Sequence, residues 1–319
     1  MRTTTESQIT TAITRLTRTD GKPAGKTFDE LGKHVAEHFG AYHAQSITLS
    51  APTAVELLER YSDLVSRLTI EQALILGHAP NLPTEYEIRP AKSLRDPNGI
   101  NWVNGKPTIA RLKHHFTPAR ILLLDFDPDP RMPEAWRALS EQDRWDLLAG
   151  ALPEFSGAAR WTIPSGSGRV LDAAGRHISP GPLGSHTYIV TSTDLSTADM
   201  DTARVALEVR LWAAGLGYMV ESKAGAALKR TLFDSVVWVT GREVFDGPPC
   251  VKPPFQLAPL TSSIHDGGAV EIITSLSVDE RLAFEHATGA RVIENVSVPS
   301  PAPTPTPPTG KQRQKKKSR

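Results

Sequence analysis

Apolar positions recur along this chain at two spacings, and the spacings divide it into elements. Ile9, Ile13 and Leu16, then Phe28, Leu31, Val35 and Phe39, fall at helical intervals and predict two helical pieces within residues 7–40. Pro52 opens an amphipathic segment over 54–68, with Val55, Leu58, Tyr61 and Leu64 on one face. Residues 132–152 and 196–214 are helical in pattern; Met200, Ala203, Leu207 and Leu211 form the stripe of the second, which Gly215 stops. A last helix starts at the capping box Ser277-Val278-Asp279-Glu280 and runs to about residue 290. Short apolar runs predict strands at 46–50, 121–124, 184–190 and 218–220, while 81–106, rich in Pro, Asn and Gly, predicts a long surface connection. The mixed order of helices and strands predicts an α+β chain with a small, largely antiparallel or mixed sheet flanked by helices.

One strand ends in chemistry. Ile121-Leu122-Leu123-Leu124 runs into Asp125-Phe126-Asp127, and residues i and i+2 of a strand share a face, so both carboxylates should point one way and Phe126 the other. Two such acids repel, and a divalent cation between them is the simplest way to keep both ionised. About one D-x-D is expected by chance in a chain this long, and Asp199-Met200-Asp201, set in a helical pattern, is a ready control. Context separates the two, because only the first follows a buried strand.

Other segments are weaker. Gly21-Lys22-Pro23-Ala24-Gly25-Lys26-Thr27 imitates a Walker A loop, but its glycines are one residue too close and a helical pattern precedes it; it reads as a basic loop. Pro164-Ser165-Gly166-Ser167-Gly168-Arg169 is a flexible loop of small residues ending in a cation, suited to phosphate and equally to an ordinary turn. His186 enters the strand Gly184-Ser185-His186-Thr187-Tyr188, and Asp234 is a third acid set among hydrophobics in Leu232-Phe233-Asp234.

Composition narrows the class. No apolar run approaches the ~20 residues of a membrane span, no apolar h-region follows the N-terminus, and the expectation is a cytoplasmic protein with no membrane partner. A single cysteine, Cys250, excludes an internal disulfide and a multi-cysteine zinc module, so no zinc is expected. The net charge of +1 hides an asymmetry: residues 311–319 carry six cations and no acid, leaving 30 Lys+Arg against 35 Asp+Glu elsewhere. A proline-rich stretch precedes this tail, so 297–319 reads as a disordered linker and basic tail, with Lys315, Lys316 and Lys317 as candidate DNA contacts.

Taken in order, Asp125-Phe126-Asp127, His186 and Asp234 resemble the three motifs of the archaeo-eukaryotic primase superfamily, in particular the primase-polymerases of bacteria, phages and plasmids. Ile109-Ala110-Arg111-Leu112-Lys113, Trp212-Ala213-Ala214-Gly215-Leu216-Gly217 and Phe245-Asp246-Gly247-Pro248-Pro249 are similar to that family's connecting segments. The resemblance spans about residues 25–258. It implies a primase-type catalytic core and a template-directed nucleotidyltransferase that makes primers on single-stranded DNA in the replication of a mobile element. It also implies two Mg²⁺ or Mn²⁺ ions on Asp125, Asp127 and Asp234, NTP or dNTP substrates, and a separate helicase as partner. His186, Lys229, Arg230, Ser165, Ser167 and Arg169 would hold the nucleotide, and Arg111 and Lys113 the DNA. The histidine motif departs from the common Ser-x-His, since Ser185 directly precedes His186.

The expected organisation is a mainly helical flank at 1–107, a catalytic core at 108–260, a helical extension at 261–296 and the tail at 297–319. Two other classes stay open: a D-x-D nucleotide-sugar glycosyltransferase, and a non-catalytic replication-associated DNA-binding protein.

Overall fold

The computed structural model describes residues 8–35, 40–178, 183–222 and 224–289, and within them the chain is α+β. Its larger sheet orders seven strands as Glu243–Val244, Gln72–Ile75, Ile9–Arg18, Tyr42–Ala51, Glu85–Arg89, Lys106–Ala110 and Asn101–Val103. Only Glu85–Arg89 and Lys106–Ala110 pair in parallel there. A second sheet, antiparallel throughout, orders Ile121–Phe126, Ser185–Val190, Arg160–Pro164 and Ser263–His265.

The expected helical flank is corrected: the N-terminal region is built chiefly of strands around one helix, Ala54–Ser66. Ile9–Arg18 is a ten-residue strand rather than a helix. Its Ile and Thr side chains are β-branched and favour extended backbone. Both faces of the strand are covered, Ile13 entering one core and Leu16 another, so the usual alternation is lost and the apolar spacing imitates a helix. The second expected helix is also absent. Thr27–Phe28 and His34–Val35 form a tight antiparallel pair with Leu31 exposed between them, and Phe39 lies outside the described residues.

The connection predicted over 81–106 holds two strands of the large sheet. The helix expected over 132–152 is two, Glu134–Arg137 and Glu141–Ala151, the second restarted by a capping box between Ser140 and Asp143. Thr197–Ala213 and Val278–Thr288 form as expected, on Ser196/Asp199 and Ser277/Glu280 capping boxes. The expected 107 boundary falls inside the strand Lys106–Ala110, and Ser263–His265 adds a strand to the second sheet from beyond the expected boundary at 260. The expected linker and tail, with Lys315, Lys316 and Lys317, lie outside the described residues.

The strand Ile121–Phe126 is buried on both faces. Ile121 and Leu123 join Trp161, Tyr188 and the helix Ala54–Ser66 in a core shared with the large sheet. Leu122, Leu124 and Phe126 pack on the other side with residues of Glu141–Ala151 and Thr197–Ala213. The position after Leu123 on the first face is Asp125, where the apolar floor gives way to charge.

Candidate active site

Asp125 and His186 are direct cross-strand partners, so their side chains share a face, with His186 Nε2 3.6 Å from Asp125 Oδ1. The segments approach closely here: a Cβ on Gly184 would lie 2.7 Å from Ser165 Oγ and 3.1 Å from the Phe126 carbonyl, so a larger residue would force the Ser165 side chain to shift. Ser185 points to the opposite face, where its hydroxyl accepts from Arg144.

Asp234 is brought to the same place by backbone hydrogen bonds. Ile121–Phe126 is an edge strand, and its outward carbonyls would stay unpaired without a cover. The Asp234 N–H donates to the Asp125 carbonyl at 2.9 Å, and Trp238 Nε1 donates to the Leu123 carbonyl at 2.7 Å. The turn Ser235–Trp238 therefore seals that edge, with Asp234 capping it through a 2.9 Å bond from the Val236 N–H.

The electrostatics register the three acids together. Burial raises the pKa of Asp125; His186 opposes the rise, Asp127 and Asp234 add to it, and Lys26 opposes it. Asp127 does not share a wall with Asp125, however. The strand ends at Phe126, so the alternation stops one residue short. Asp127 and Asp234 line a recess of about 180 Å³ with Asp129, Glu208, Lys229 and Arg230. Asp125 and His186 line a cleft of about 400 Å³ with Lys26, Arg111, Gly166, Arg242 and Glu243. Among the described residues, no three Asp, Glu, His or Cys side chains form a preassembled metal cage.

His186 is held from behind. Its Nδ1 lies 2.7 Å from Asp246 Oδ1, and the side chain of Asp246 is fully buried. The other carboxylate oxygen accepts from the Tyr188 hydroxyl at 2.5 Å and from the Tyr61 hydroxyl at 3.2 Å. Burial works against a charged imidazole, but the Asp246 bond and charge, helped by Asp125, outweigh it and raise the His186 pKa. Burial also pushes both tyrosines well above the ordinary phenol range, reinforced by Asp246. Nδ1 is thus committed, and Nε2 is the nitrogen turned toward Asp125.

The remaining candidates separate. Ser165 and Ser167 sit beside the cleft, their hydroxyls 3.3 Å apart. Arg230 lines the acidic recess. Lys229 lines it too, but its ammonium braces Glu208 at 3.5 Å and lies 4.7 Å over the Phe284 ring. Arg169 donates from Nε and Nη2 to the Ala258 carbonyl. Lys113 pairs with Asp201 at 2.6 Å, and Arg111, expected at DNA, pairs with Glu243 at 3.3 Å in the cleft wall.

Two contributors escaped the sequence reading. Asp246 stood within a quoted segment; its signal was a lone acid between Phe245 and Gly247 in an otherwise apolar and proline-rich run. Lys26 belonged to the loop set aside as a false Walker motif. No family model, no curated protein and no solved structure matches this chain.

Proposed function

We propose that this chain is a template-directed nucleotidyltransferase of the primase-polymerase type, acting on single-stranded DNA with nucleoside triphosphates. The observation that carries the reading is the meeting of three segments distant in sequence: Asp125 opposite His186 across a strand pair, with Asp234 bonded to the Asp125 backbone. Extension requires a primer 3′-hydroxyl to attack the α-phosphate while pyrophosphate leaves in line.

Asp125, Asp127 and Asp234 would supply oxygen donors to a hard divalent cation such as Mg²⁺ or Mn²⁺; the Asp125 pKa is raised chiefly by burial, with the charges of Asp127 and Asp234 adding to it, and a cation would offset both. When bound there, such ions supply Lewis-acid stabilisation of the attacking and leaving oxygens. His186, oriented and charged by Asp246, donates from Nε2 to a phosphate oxygen of the incoming nucleotide. Ser165 and Ser167 offer hydroxyl donors beside it, and Arg230 offsets charge in the acidic recess.

The test is incubation with single-stranded template, labelled ribo- or deoxynucleotides, and Mg²⁺ or Mn²⁺. Template-dependent labelled oligomers are expected from the wild type, and none from Asp125→Ala in either metal. Absence of incorporation by the wild type with every combination of nucleotide and metal would overturn the assignment.

A further inference from the structure

The cleft on the Asp125 side is richer in cations than the three motifs require. Lys26 Nζ donates to Ser167 Oγ at 3.2 Å, and among the described residues no carboxylate lies within ion-pairing distance of it. Its charge nonetheless acts on both Asp125 and His186. Arg242, exposed on the same cleft, has no carboxylate within ion-pairing distance among the described residues either. Lys113, Lys229 and Lys252, by contrast, each face an acid.

The backbone around Lys26 is held on both sides. The Ala24 N–H donates to the Ile70 carbonyl at 2.8 Å, and the Lys26 carbonyl accepts from the Cys250 N–H at 3.0 Å. Thr27–Phe28 then continues in parallel with Cys250–Val251, just past the Asp246 segment. A fixed backbone places the ammonium at the Ser167 loop, with its other hydrogens uncommitted to protein acids. Holding a half-buried cation without a carboxylate is unfavourable unless an anion is brought to it.

We propose that Lys26, with Arg242 of the same cleft and the Ser167 hydroxyl to which Lys26 donates, binds the β- and γ-phosphates of the incoming nucleoside triphosphate. This rests on the nucleotidyltransferase reading and extends it to a residue about 100 positions ahead of the first motif. The Walker-like loop thus meets phosphate by a different route. A strand, not the helix N-terminus that a P-loop uses, follows it, and it contributes a point charge instead.

The test measures equilibrium binding of a deoxynucleoside triphosphate and of inorganic tripolyphosphate, each with Mg²⁺, to the whole chain. Lys26→Gln, which removes the charge and keeps a shorter polar side chain, should weaken both probes about ten- to hundredfold, the loss of one charge-assisted contact. Lys26→Arg should restore most of the affinity, Ser167→Ala should lose less than Lys26→Gln, and binding of single-stranded DNA should be unchanged in all three. Equal loss for both probes identifies the phosphates as the group contacted. Wild-type affinity for both probes in a folded Lys26→Gln protein, checked by thermal melting, would overturn the inference while leaving primer synthesis intact. Lys26-dependent tripolyphosphate binding by a protein that never extends a primer would instead keep this site and reject the polymerase reading.

Discussion

Asp246 offers the sharpest perturbation, because one buried carboxylate is bonded to three side chains from two elements. Replacing it by alanine leaves the Tyr61 and Tyr188 hydroxyls and the Nδ1 side of His186 without their acceptor in a site closed to water. Each orphaned donor costs about 1–3 kcal/mol. The three costs do not add, since the three groups share one acceptor and relax together when it is removed. Breaking a buried charged network by removing one partner typically costs about 3–5 kcal/mol, and that is the expected loss for Asp246→Ala. At about 2–4 °C per kcal/mol for a chain of this size, the melting temperature should fall by about 6–20 °C. Asp246→Asn keeps the shape and one acceptor oxygen and should lose less than half as much. Its larger effect should be on nucleotide affinity, because a neutral amide no longer favours the charged form of His186. The assays are thermal denaturation and nucleotide binding on the same preparations. A melting temperature within 2 °C of wild type for Asp246→Ala, or unchanged nucleotide affinity for Asp246→Asn, would refute the view that this acid supports the site.

Three further outcomes follow from other contacts. Trp238→Phe removes the bond to the Leu123 carbonyl and should cost about 1–2 kcal/mol in denaturant unfolding, with a reduced extension rate because the turn bearing Asp234 loses its second anchor. Burial raises the Glu280 pKa, but its bonds to Ser277 and the Arg210 charge outweigh this and hold it below the ordinary value of 4.5. Its contribution is therefore present above that value and lost as pH falls below it, so the stability difference between wild type and Glu280→Gln should shrink progressively in acid titration melts. Deleting residues 299–319 removes the six cations of 311–319 and should flatten the salt dependence of single-stranded DNA binding by up to about 4 log units per log salt. Turnover at saturating template should stay the same, and its loss would show that the tail reaches the chemistry.

The strand carrying Asp125, the strand opened by His186 and the long helix Thr197–Ala213 were legible because each combines an apolar run or stripe with a boundary signal: an acid, a histidine or a stopping glycine. The N-terminal strands were not. Ile9–Arg18 is covered on both faces, so no polar alternation survives to mark it, and only its β-branched composition argued against the helix. The site was half legible for a similar reason. Asp125, His186 and Asp234 announce themselves by lying at the ends of apolar runs, whereas Asp246 and Lys26 acquire their meaning from residues far away in sequence. Nothing local to Gly25-Lys26-Thr27 tells that its ammonium meets Ser167, and nothing local to Arg169 tells that its guanidinium donates to the Ala258 carbonyl.

The Asp246 junction also limits how this protein can be cut or shuffled. A fragment beginning at residue 108 would retain all three motif acids and His186, yet lose Tyr61 from the network, Lys26 from the cleft, and the strand Gln72–Ile75 that pairs with Glu243–Val244 beside Asp246. Such a piece would carry every recognisable signature of the site and leave a buried charge short of a partner. The unit that keeps these contacts together therefore runs from the strand Ile9–Arg18 through the helix Val278–Thr288, whose Glu280 pairs with Arg210, and a fusion or recombination point between those limits should separate the motifs from the contacts that hold them.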